Sequence, residues 1–251
     1  MNSKERFTNR VDSYAKYRPS YPADMIQYLY RTVGLCAASL IADIGAGTGI
    51  FTKLLLTEGS QVIAIEPNEA MREASMQELV EFDGYQSMAG SAENTNLPDQ
   101  SVDFIVCAQA FHWFDRPAAK VEFARVLKPE GKAALIWNSR RTSGTPFLEE
   151  YDQLLRTYGT DYAKVNHQNI SANSLALFFK EGSMRVAEFH NEQKFDYDGL
   201  LGRMLSSSYV PLPGHPSYEP MTEAAMELFV RCQQNGQVTI EYLTEVYWGE
   251  V

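Results

Sequence analysis

Short apolar runs alternate with amphipathic segments through the first 140 residues of the chain. The runs are rich in Ala, Val, Ile and Leu and are bounded by Gly, Pro or Asp, which predicts strands buried on both faces. The segments between them repeat apolar positions at helical spacing. The predicted strands are 40–44, 61–65, 85–89, 102–108 and 133–137, and the predicted helices are 24–33, 51–56, 68–79 and 117–127. The pattern therefore predicts an α/β fold with a mostly parallel sheet covered by helices on both faces.

The pattern becomes looser after residue 139, where turns separate longer polar segments. Residues 211–216 contain three prolines, which predicts an ordered loop or a lid. The predicted helices of this half are 146–158, 171–179, 197–206 and 221–233, and its predicted strands are 184–197 and 238–248, the last one at the sheet edge.

Polar residues and glycines follow the first predicted strand, where ligands bind in open parallel sheets. The strand ends in Asp43, and the glycines that follow let a ligand approach the backbone where any Cβ would collide. A dinucleotide fingerprint needs its third glycine at position 50, which is Ile50. The turn therefore indicates a ligand site and disfavours a pyrophosphate. A merely tight connection is the alternative.

Glu66 ends the second predicted strand, at the same edge of the sheet. A carboxylate there can accept hydrogen bonds from both hydroxyls of a ribose. The alternative is a solvated carboxylate at a strand end. Together with the glycine turn, Glu66 favours a nucleoside-containing ligand.

Charge and composition exclude several partners. The chain has 251 residues and a formal net charge of −10, and no basic run is longer than Arg140-Arg141, so we expect no nucleic-acid partner. No apolar stretch is long enough to span a membrane, and the three cysteines have no metal-ligand spacing. We therefore expect a soluble cytoplasmic protein with no metal and no membrane partner. The sequence makes no prediction about the oligomeric state.

Four ordered motifs resemble the class I methyltransferases that depend on S-adenosylmethionine (SAM). They are IADIGAGTGIFT (41–52), VIAIEP (62–67), GSAENTNLPDQSVDFIVCAQAFHWF (90–114) and VLKPEGKAALIW (126–137). The N-terminal YAKYRPSYP (14–22), with AQAFHWFD, resembles the methyltransferase type 11 or trans-aconitate methyltransferase-like subgroup.

The resemblance implies a Rossmann-like fold with a seven-stranded, mostly parallel sheet, flanking helices and a helical cap. It divides the chain into an arm over the cofactor (1–34), a SAM-binding core (35–140) and a substrate cap with the last strands (141–251), all within one integrated domain.

The resemblance also implies which residues hold SAM. Arg18 is the expected partner of the cofactor carboxylate, and pairing with a structural acid is the alternative. The expected cofactor residues are Tyr14 and Arg18 from the arm, Asp43, Gly45 and Gly47 at the methionine part, Glu66 at the ribose, Ser91 and Ala92 at the adenine, and Gln109 and Ala110 at the transferable methyl group.

Candidate catalytic and acceptor residues follow the fourth and fifth strands and lie in the cap. His112 is the candidate general base, with a structural hydrogen-bonded histidine as the alternative. Aromatic faces attract a sulfonium, and arginines can clamp an anionic substrate, although core packing and surface solvation are the alternatives. The candidates are Tyr17, Trp113, Trp137, Arg140, Arg141, Arg203 and Tyr209.

We therefore expect methyl transfer from SAM to a small-molecule acceptor, with a carboxylic acid as the candidate. A methyltransferase acting on a protein, lipid or quinone, and a SAM-binding module without catalysis, are the alternatives. A nicotinamide-dependent dehydrogenase is a more distant one, because position 50 is not glycine.

Overall fold

A seven-stranded sheet forms the centre of the computed structural model, which describes residues 11–162 and 172–251. The strands lie in the order β3-β2-β1-β4-β5-β7-β6. Strands β1 to β5 run parallel, and β7 is antiparallel to both of its neighbours. The strands are β1 (Leu40–Ile44), β2 (Gln61–Ile65), β3 (Tyr85–Met88), β4 (Val102–Ala108), β5 (Leu127–Arg140), β6 (Arg185–Phe195) and β7 (Val238–Gly249). The predicted fold class is confirmed.

Helices connect the strands and cover the sheet. Asn68 Oδ1 accepts a hydrogen bond from Met71 N at 3.1 Å and so caps the helix that begins at Glu69. The helices are α1 (Val11–Tyr17), α2 (Ala23–Tyr28), α3 (Ile50–Thr57), α4 (Glu69–Glu78), α5 (Arg116–Val126), α6 (Pro146–Tyr158), α7 (Ala172–Ala176), α8 (Tyr197–Leu205) and α9 (Tyr218–Cys232). Within the described residues, no helix combines the length and the apolar content that a bilayer crossing requires.

The sheet buries side chains on both faces because successive residues of a strand point to opposite sides. On β5, Leu135 packs on the face covered by α5 and α7, and Ile136 packs on the face covered by α2 and α3. This two-sided burial explains why the central strands are nearly continuous apolar runs in the sequence.

A third apolar cluster forms the cap, from α6, α8, α9 and the first half of β7. The N-terminal arm closes against it: a Cβ on Gly202 would lie 2.3 Å from Cε2 of Tyr17. Gln193 Nε2 also donates to Tyr17 O at 3.3 Å. The cap and the arm therefore lie together over the carboxyl ends of the parallel strands.

Two predicted elements differ from the structure. The strand 238–248 was expected at the sheet edge, and this is wrong, because β7 pairs with β5 on one side and β6 on the other. Its alternating burial is the cause, since a strand packed on one face alternates whether or not it is at the edge. The edge strand on this side of the sheet is β6, whose exposed positions are polar or charged apart from Val186. Of the predicted helix 171–179, Ser171 lies outside the described residues and α7 is short.

Candidate functional site

Two connected cavities lie at the carboxyl ends of the parallel strands. We call them the glutamate cleft and the arginine chamber. The cleft is lined mainly by Gly47, Glu66, Asn68, Met71, Ser91, Ala92, Ala110 and Phe114. The chamber is lined mainly by Arg18, Asp43, His112, Asn138, Arg140, Tyr162, Arg203, Ser208 and Tyr209. Tyr14, Gly45, Gln109 and Trp113 line both, so one elongated ligand can extend from the cleft into the chamber.

The glycine turn forms the floor between the two cavities. Gly45 has φ +74°, and a Cβ there would lie 2.5 Å from Cβ of Ala110. Gly45 N and Ala46 N donate to Ile65 O at 2.8 and 3.2 Å, which ties the turn to β2. Gly49 has a different reason to be glycine, because its Cβ would lie 2.7 Å from Cδ1 of Leu79. The first glycine therefore makes room at the ligand site, and the third lets the helices pack.

Glu66 is buried at the end of β2, with its carboxylate in the cleft. Gly47 N donates to Oε2 at 3.0 Å, and Asn68 N donates to Oε1 at 2.9 Å. Burial raises the pKa of Glu66, and these two backbone hydrogen bonds lower it in part. Each oxygen keeps a free lone pair, so the carboxylate can still accept from two hydroxyls of a ligand.

Asp43 contributes an unsatisfied acceptor to the chamber. Its side chain is fully buried, and Oδ2 accepts from Thr52 Oγ1 at 2.6 Å. Within the described residues, Oδ1 has no hydrogen-bond partner. Burial raises the pKa of Asp43 to about 7. A buried acceptor without a partner favours a ligand that brings a cationic donor to it.

Gln109 follows β4 in a left-handed backbone conformation, with φ +60°. Its N donates to Ile136 O at 2.8 Å and its Nε2 to Asn138 O at 3.2 Å, which hold it there. Such strain costs on the order of 1–3 kcal/mol and is frequent at binding sites. It places Gln109 at the passage between cleft and chamber.

Arg18 reaches the chamber from the arm. Its Nη2 donates to Ser206 O at 2.9 Å, and its guanidinium carbon lies 4.8 Å from the ring centroid of Tyr14. Its Nε is buried and has no hydrogen-bond partner in the described parts of the chain. Burial, followed by the charge of Arg203, lowers the pKa of Arg18. The alternative, a pairing of Arg18 with a structural acid, is absent among the described residues.

Arg203 lies on the cap side of the chamber, on α8. It is only 6% exposed, yet its partners are neutral. Nε donates to Tyr242 Oη at 3.1 Å, and Nη1 donates to Ser207 Oγ at 3.0 Å and Ser206 Oγ at 3.3 Å. No acid forms an ion pair with Arg18 or Arg203 in residues 11–162 and 172–251. The chamber therefore contains two guanidinium groups without a counter-ion.

The other two candidate arginines differ from this pair. Arg140 lines the chamber, but its Nη2 donates to Asp152 Oδ1 and Tyr162 Oη, both at 2.6 Å. Arg141 lies outside the chamber, with its side chain half exposed and 3.7 Å from Glu241. Arg140 is thus neutralised by the cap, and Arg141 does not face the site.

The aromatic candidates also fall into two groups, those that line the chamber and those that do not. Trp113 and Tyr209 line the chamber, as does His112, whose ring centroid lies 4.7 Å from that of Trp113. Tyr17 is instead packed against α8, outside both cavities. Trp137 is 3% exposed and packs in the core against Phe111 and Tyr247, because odd-numbered residues of β5 point away from the chamber. All ten residues expected to hold the cofactor line one of the two cavities.

Several lining residues were missed from the sequence. Asn138 could have been found, since it follows the apolar run of β5 as Gln109 follows β4. Tyr162 and Ser208 carry no local signal, because they reach the chamber through contacts between distant parts of the cap. Thr52 was also missed, although it follows the glycine turn and bonds Asp43.

Comparison with known proteins identifies the chemistry. A family model described as a methyltransferase domain matches residues 42–135, which contain Asp43, Glu66 and Gln109. An uncharacterized methyltransferase of Schizosaccharomyces pombe is 28% identical over 250 residues, which cover 97% of this chain and 96% of the relative. The chain is a SAM-dependent methyltransferase.

Other likenesses agree with this. An uncharacterized methyltransferase of Mycobacterium bovis is 39% identical over 137 residues, which are 53% of this chain and 52% of the relative, so that match spans about half of each protein. A solved structure described as a type II methyltransferase from Anaeromyxobacter dehalogenans superposes with a TM-score of 0.70 and 22% identity, covering 93% of this chain and 98% of the other. At that identity the superposition shows the fold.

The residues of this methyltransferase fit the charged groups and the ribose of SAM. Asp43 Oδ1, buried and without a partner among the described residues, suits the α-ammonium group. Arg18 suits the carboxylate, and the free lone pairs of Glu66 suit the ribose hydroxyls. Tyr14 and Trp113 lie where the two cavities meet and can border the sulfonium.

Proposed function

We propose that the enzyme methylates a small-molecule acceptor that carries an acidic group, with a carboxylic acid as the candidate acceptor. The observation that supports this is the pair Arg18 and Arg203, which line one chamber without an acidic partner in the described residues. One carboxylate of SAM can neutralise only one of them.

The contrast with the rest of the protein strengthens the electrostatic argument. The chain carries a net charge of −10, yet this chamber brings together two uncompensated cations. A guanidinium buried without a counter-ion is costly, and a bound anion removes that cost. The chamber therefore favours a second anion beside the cofactor.

Size and lining support a small acceptor over a lipid, a quinone or a protein. The cavity volume of the chamber is ≈ 130 Å³. Arginine, tyrosine, histidine and asparagine side chains border it, whereas a lipid or quinone site would present a broad apolar mouth.

We also propose a cytoplasmic location and no nucleic-acid partner. The three cysteines are free thiols, which is typical of cytoplasmic proteins. The chain is too acidic to favour binding to the phosphates of a nucleic acid.

Positioning carries most of the catalysis. SAM supplies an electrophilic methyl group on a sulfonium. Asp43, Glu66 and Arg18 hold the two ends of the cofactor, and holding two reactants at attack distance can contribute on the order of 7–11 kcal/mol. Tyr14 and Trp113 border the passage and exclude water. A carboxylate oxygen gains the methyl group and loses its charge as the carbon–sulfur bond breaks, so no proton is removed and His112 is needed as a base only for a hydroxyl acceptor.

Labelled SAM tests the proposal. The enzyme is incubated with methyl-labelled SAM and a metabolite extract, and products are separated into small-molecule, lipid and protein fractions. We expect label in a small acidic compound, released as methanol by mild base if the product is a methyl ester. Label in the lipid or protein fraction supports the corresponding alternative. Absence of label with retained SAM binding identifies a binding module without catalysis.

A further inference from the structure

The two uncompensated arginines come from different segments and meet at Ser206, where Arg18 Nη2 donates to O at 2.9 Å and Arg203 Nη1 donates to Oγ at 3.3 Å. We infer that Arg203 anchors an acidic group of the acceptor that is separate from the group that is methylated. The inference rests on the proposed function and adds a specificity subsite to it.

Arg203 is held rigidly in place. Hydrogen bonds from Nε and Nη1 to Tyr242, Ser206 and Ser207 fix the plane of the guanidinium. Its Nη2 has no hydrogen-bond partner in the described residues, and all of the fixed contacts are to neutral hydroxyls. A preorganised guanidinium with an open donor loses little conformational entropy when it binds an anion.

The strand that holds Arg203 is separated by β5 from the passage where cleft and chamber meet. Tyr242, the partner of Arg203, is on β7, and Gln109 follows β4, with β5 between them. Two strand spacings correspond to about 10 Å between those backbones. Tyr242 also pairs with Arg140, whereas Gln109 bonds Asn138, two residues earlier on β5, so the register adds roughly 6 Å along the strand. The strand position that holds Arg203 is therefore well separated from Gln109.

Arg18 belongs to the cofactor side by the same geometry. It stacks on Tyr14, which lines both cavities, whereas Arg203 is bonded to Tyr242, Ser206 and Ser207, which line neither. The chamber thus has one cation beside the passage and another on its cap side. This arrangement assigns the cofactor carboxylate to Arg18 and leaves Arg203 for the acceptor.

The chemistry of an ion pair separates the anchored group from the methylated one. A carboxylate bound to a guanidinium is a weaker nucleophile, because its charge is stabilised by the pair. Methylating it would also leave a neutral ester against a buried cation. The acceptor therefore carries two polar ends: an anion on Arg203, and a nucleophilic oxygen near Gln109.

Binding without turnover tests the anchor. The enzyme is loaded with S-adenosylhomocysteine, which has no methyl group to transfer, and titrated calorimetrically with straight-chain dicarboxylates of four to eight carbons and the dimethyl ester of each, which has no free carboxylate. We expect at least one dicarboxylate to bind at least tenfold more tightly than its dimethyl ester. Equal affinities throughout the series would overturn the inference.

Variants then locate the anchor. Arg203→Met should abolish the preference for the dicarboxylate and change the affinity of the ester by less than about twofold. Arg203→Lys keeps the charge but loses the planar pair of guanidinium donors, so it should retain part of the preference. This variant also provides a result if the Met variant does not fold. Arg231→Met is the control, because Arg231 is an exposed cap arginine paired with Glu150. An equal loss for diacid and ester in Arg203→Lys and Arg203→Met contradicts the anchor.

Cofactor analogues provide a second test, which shows whether Arg18 or Arg203 binds the amino-acid part of the cofactor. 5′-Methylthioadenosine lacks the amino-acid part of S-adenosylhomocysteine, so Arg18→Met should weaken only the latter. Arg203→Met should weaken neither, and a selective loss of S-adenosylhomocysteine would assign Arg203 to the cofactor and overturn the inference. If the diacid preference depends on Arg203 but no acid becomes labelled, the proposed function fails and the subsite stands. If acids become labelled but Arg203 has no selective effect, the inference about Arg203 fails and the proposed function stands.

Discussion

The glutamate cleft and the arginine chamber lie side by side but are built in different ways. The cleft is formed by the turns after β1, β2, β3 and β4, and its central contacts join atoms close in sequence, as in Asn68 N to Glu66 Oε1. The chamber joins distant segments: Arg18 bonds Ser206, 188 residues away, and Arg203 bonds Tyr242, 39 residues away. One cavity is specified by local backbone geometry, and the other by long-range side-chain contacts.

The difference in construction corresponds to a difference in chemistry. The cleft presents backbone groups and one carboxylate to the cofactor, whereas the chamber presents two uncompensated cations, of which we assign one to the acceptor. Changes in the cleft should therefore affect cofactor binding whatever the acceptor is. Changes at the far side of the chamber should affect the acceptor and leave the cofactor alone.

The largest effect is expected for Gly45→Ala. The new Cβ would lie 2.5 Å from Ala110 Cβ at φ +74°, so backbone strain adds to overpacking. Together these cost about 3 kcal/mol, which corresponds to a loss of affinity for S-adenosylhomocysteine of roughly 100-fold. Calorimetry measures it, with Gly236→Ala as control, since Gly236 also has positive φ but open space around it. Undiminished binding would show that the turn does not shape the site.

Glu66→Gln should have the next largest effect. The amide keeps the shape but replaces a charged acceptor, so hydroxyl donors lose about 2 kcal/mol, or roughly 30-fold in affinity. The loss should be equal for S-adenosylhomocysteine and 5′-methylthioadenosine, because both carry the ribose. Glu78→Gln is the control, an exposed glutamate paired with Lys53. A loss confined to one ligand would mean that Glu66 does not bind the ribose.

Asp43 should make cofactor binding depend on pH. Its pKa is about 7, and the cofactor ammonium favours the ionised carboxylate, so affinity should fall up to tenfold for each pH unit below 7. 5′-Methylthioadenosine has no ammonium group and should show no such slope. Asp43→Asn should remove the slope for S-adenosylhomocysteine, and a slope that persists in this variant belongs to another group.

The same group should affect folding with the opposite sign. The folded pKa of Asp43 lies above its unfolded value, so the folded state holds the proton more tightly. Its contribution to the free energy of unfolding therefore falls as pH rises between about 4 and 7 and is constant above that range. Thermal unfolding without ligand, compared between wild type and Asp43→Asn, measures this contribution.

The sequence predicts the parts of the molecule that local geometry specifies and fails for the parts that long-range contacts specify. Strands β1 to β5 and the residues Asp43, Glu66 and Gln109 were predictable, because continuous apolar runs and the residues just after them are local signals. The meeting of Arg18 with Arg203 was not, because it depends on the arm packing against α8 through Tyr17 and Gly202. The wrong position predicted for β7 has a similar cause. Alternating apolar and polar residues indicate that one face of a strand is packed, but they do not indicate how many strands pair with it.

The smallest effect is expected where the sequence suggested a clamp. Arg141 follows β5 beside Arg140, and adjacent arginines at a sheet edge favour anion binding, but the structure places Arg141 outside the chamber, 3.7 Å from Glu241. An exposed ion pair of this kind contributes little. Arg141→Ala should therefore change the KM of an accepted acid by less than about twofold, whereas Arg203→Met should raise it at least tenfold with unchanged KM for SAM. If Arg141→Ala raised the KM of the acid as much as Arg203→Met, the acceptor would bind at the solvent-facing edge of the sheet, and the chamber would serve the cofactor alone.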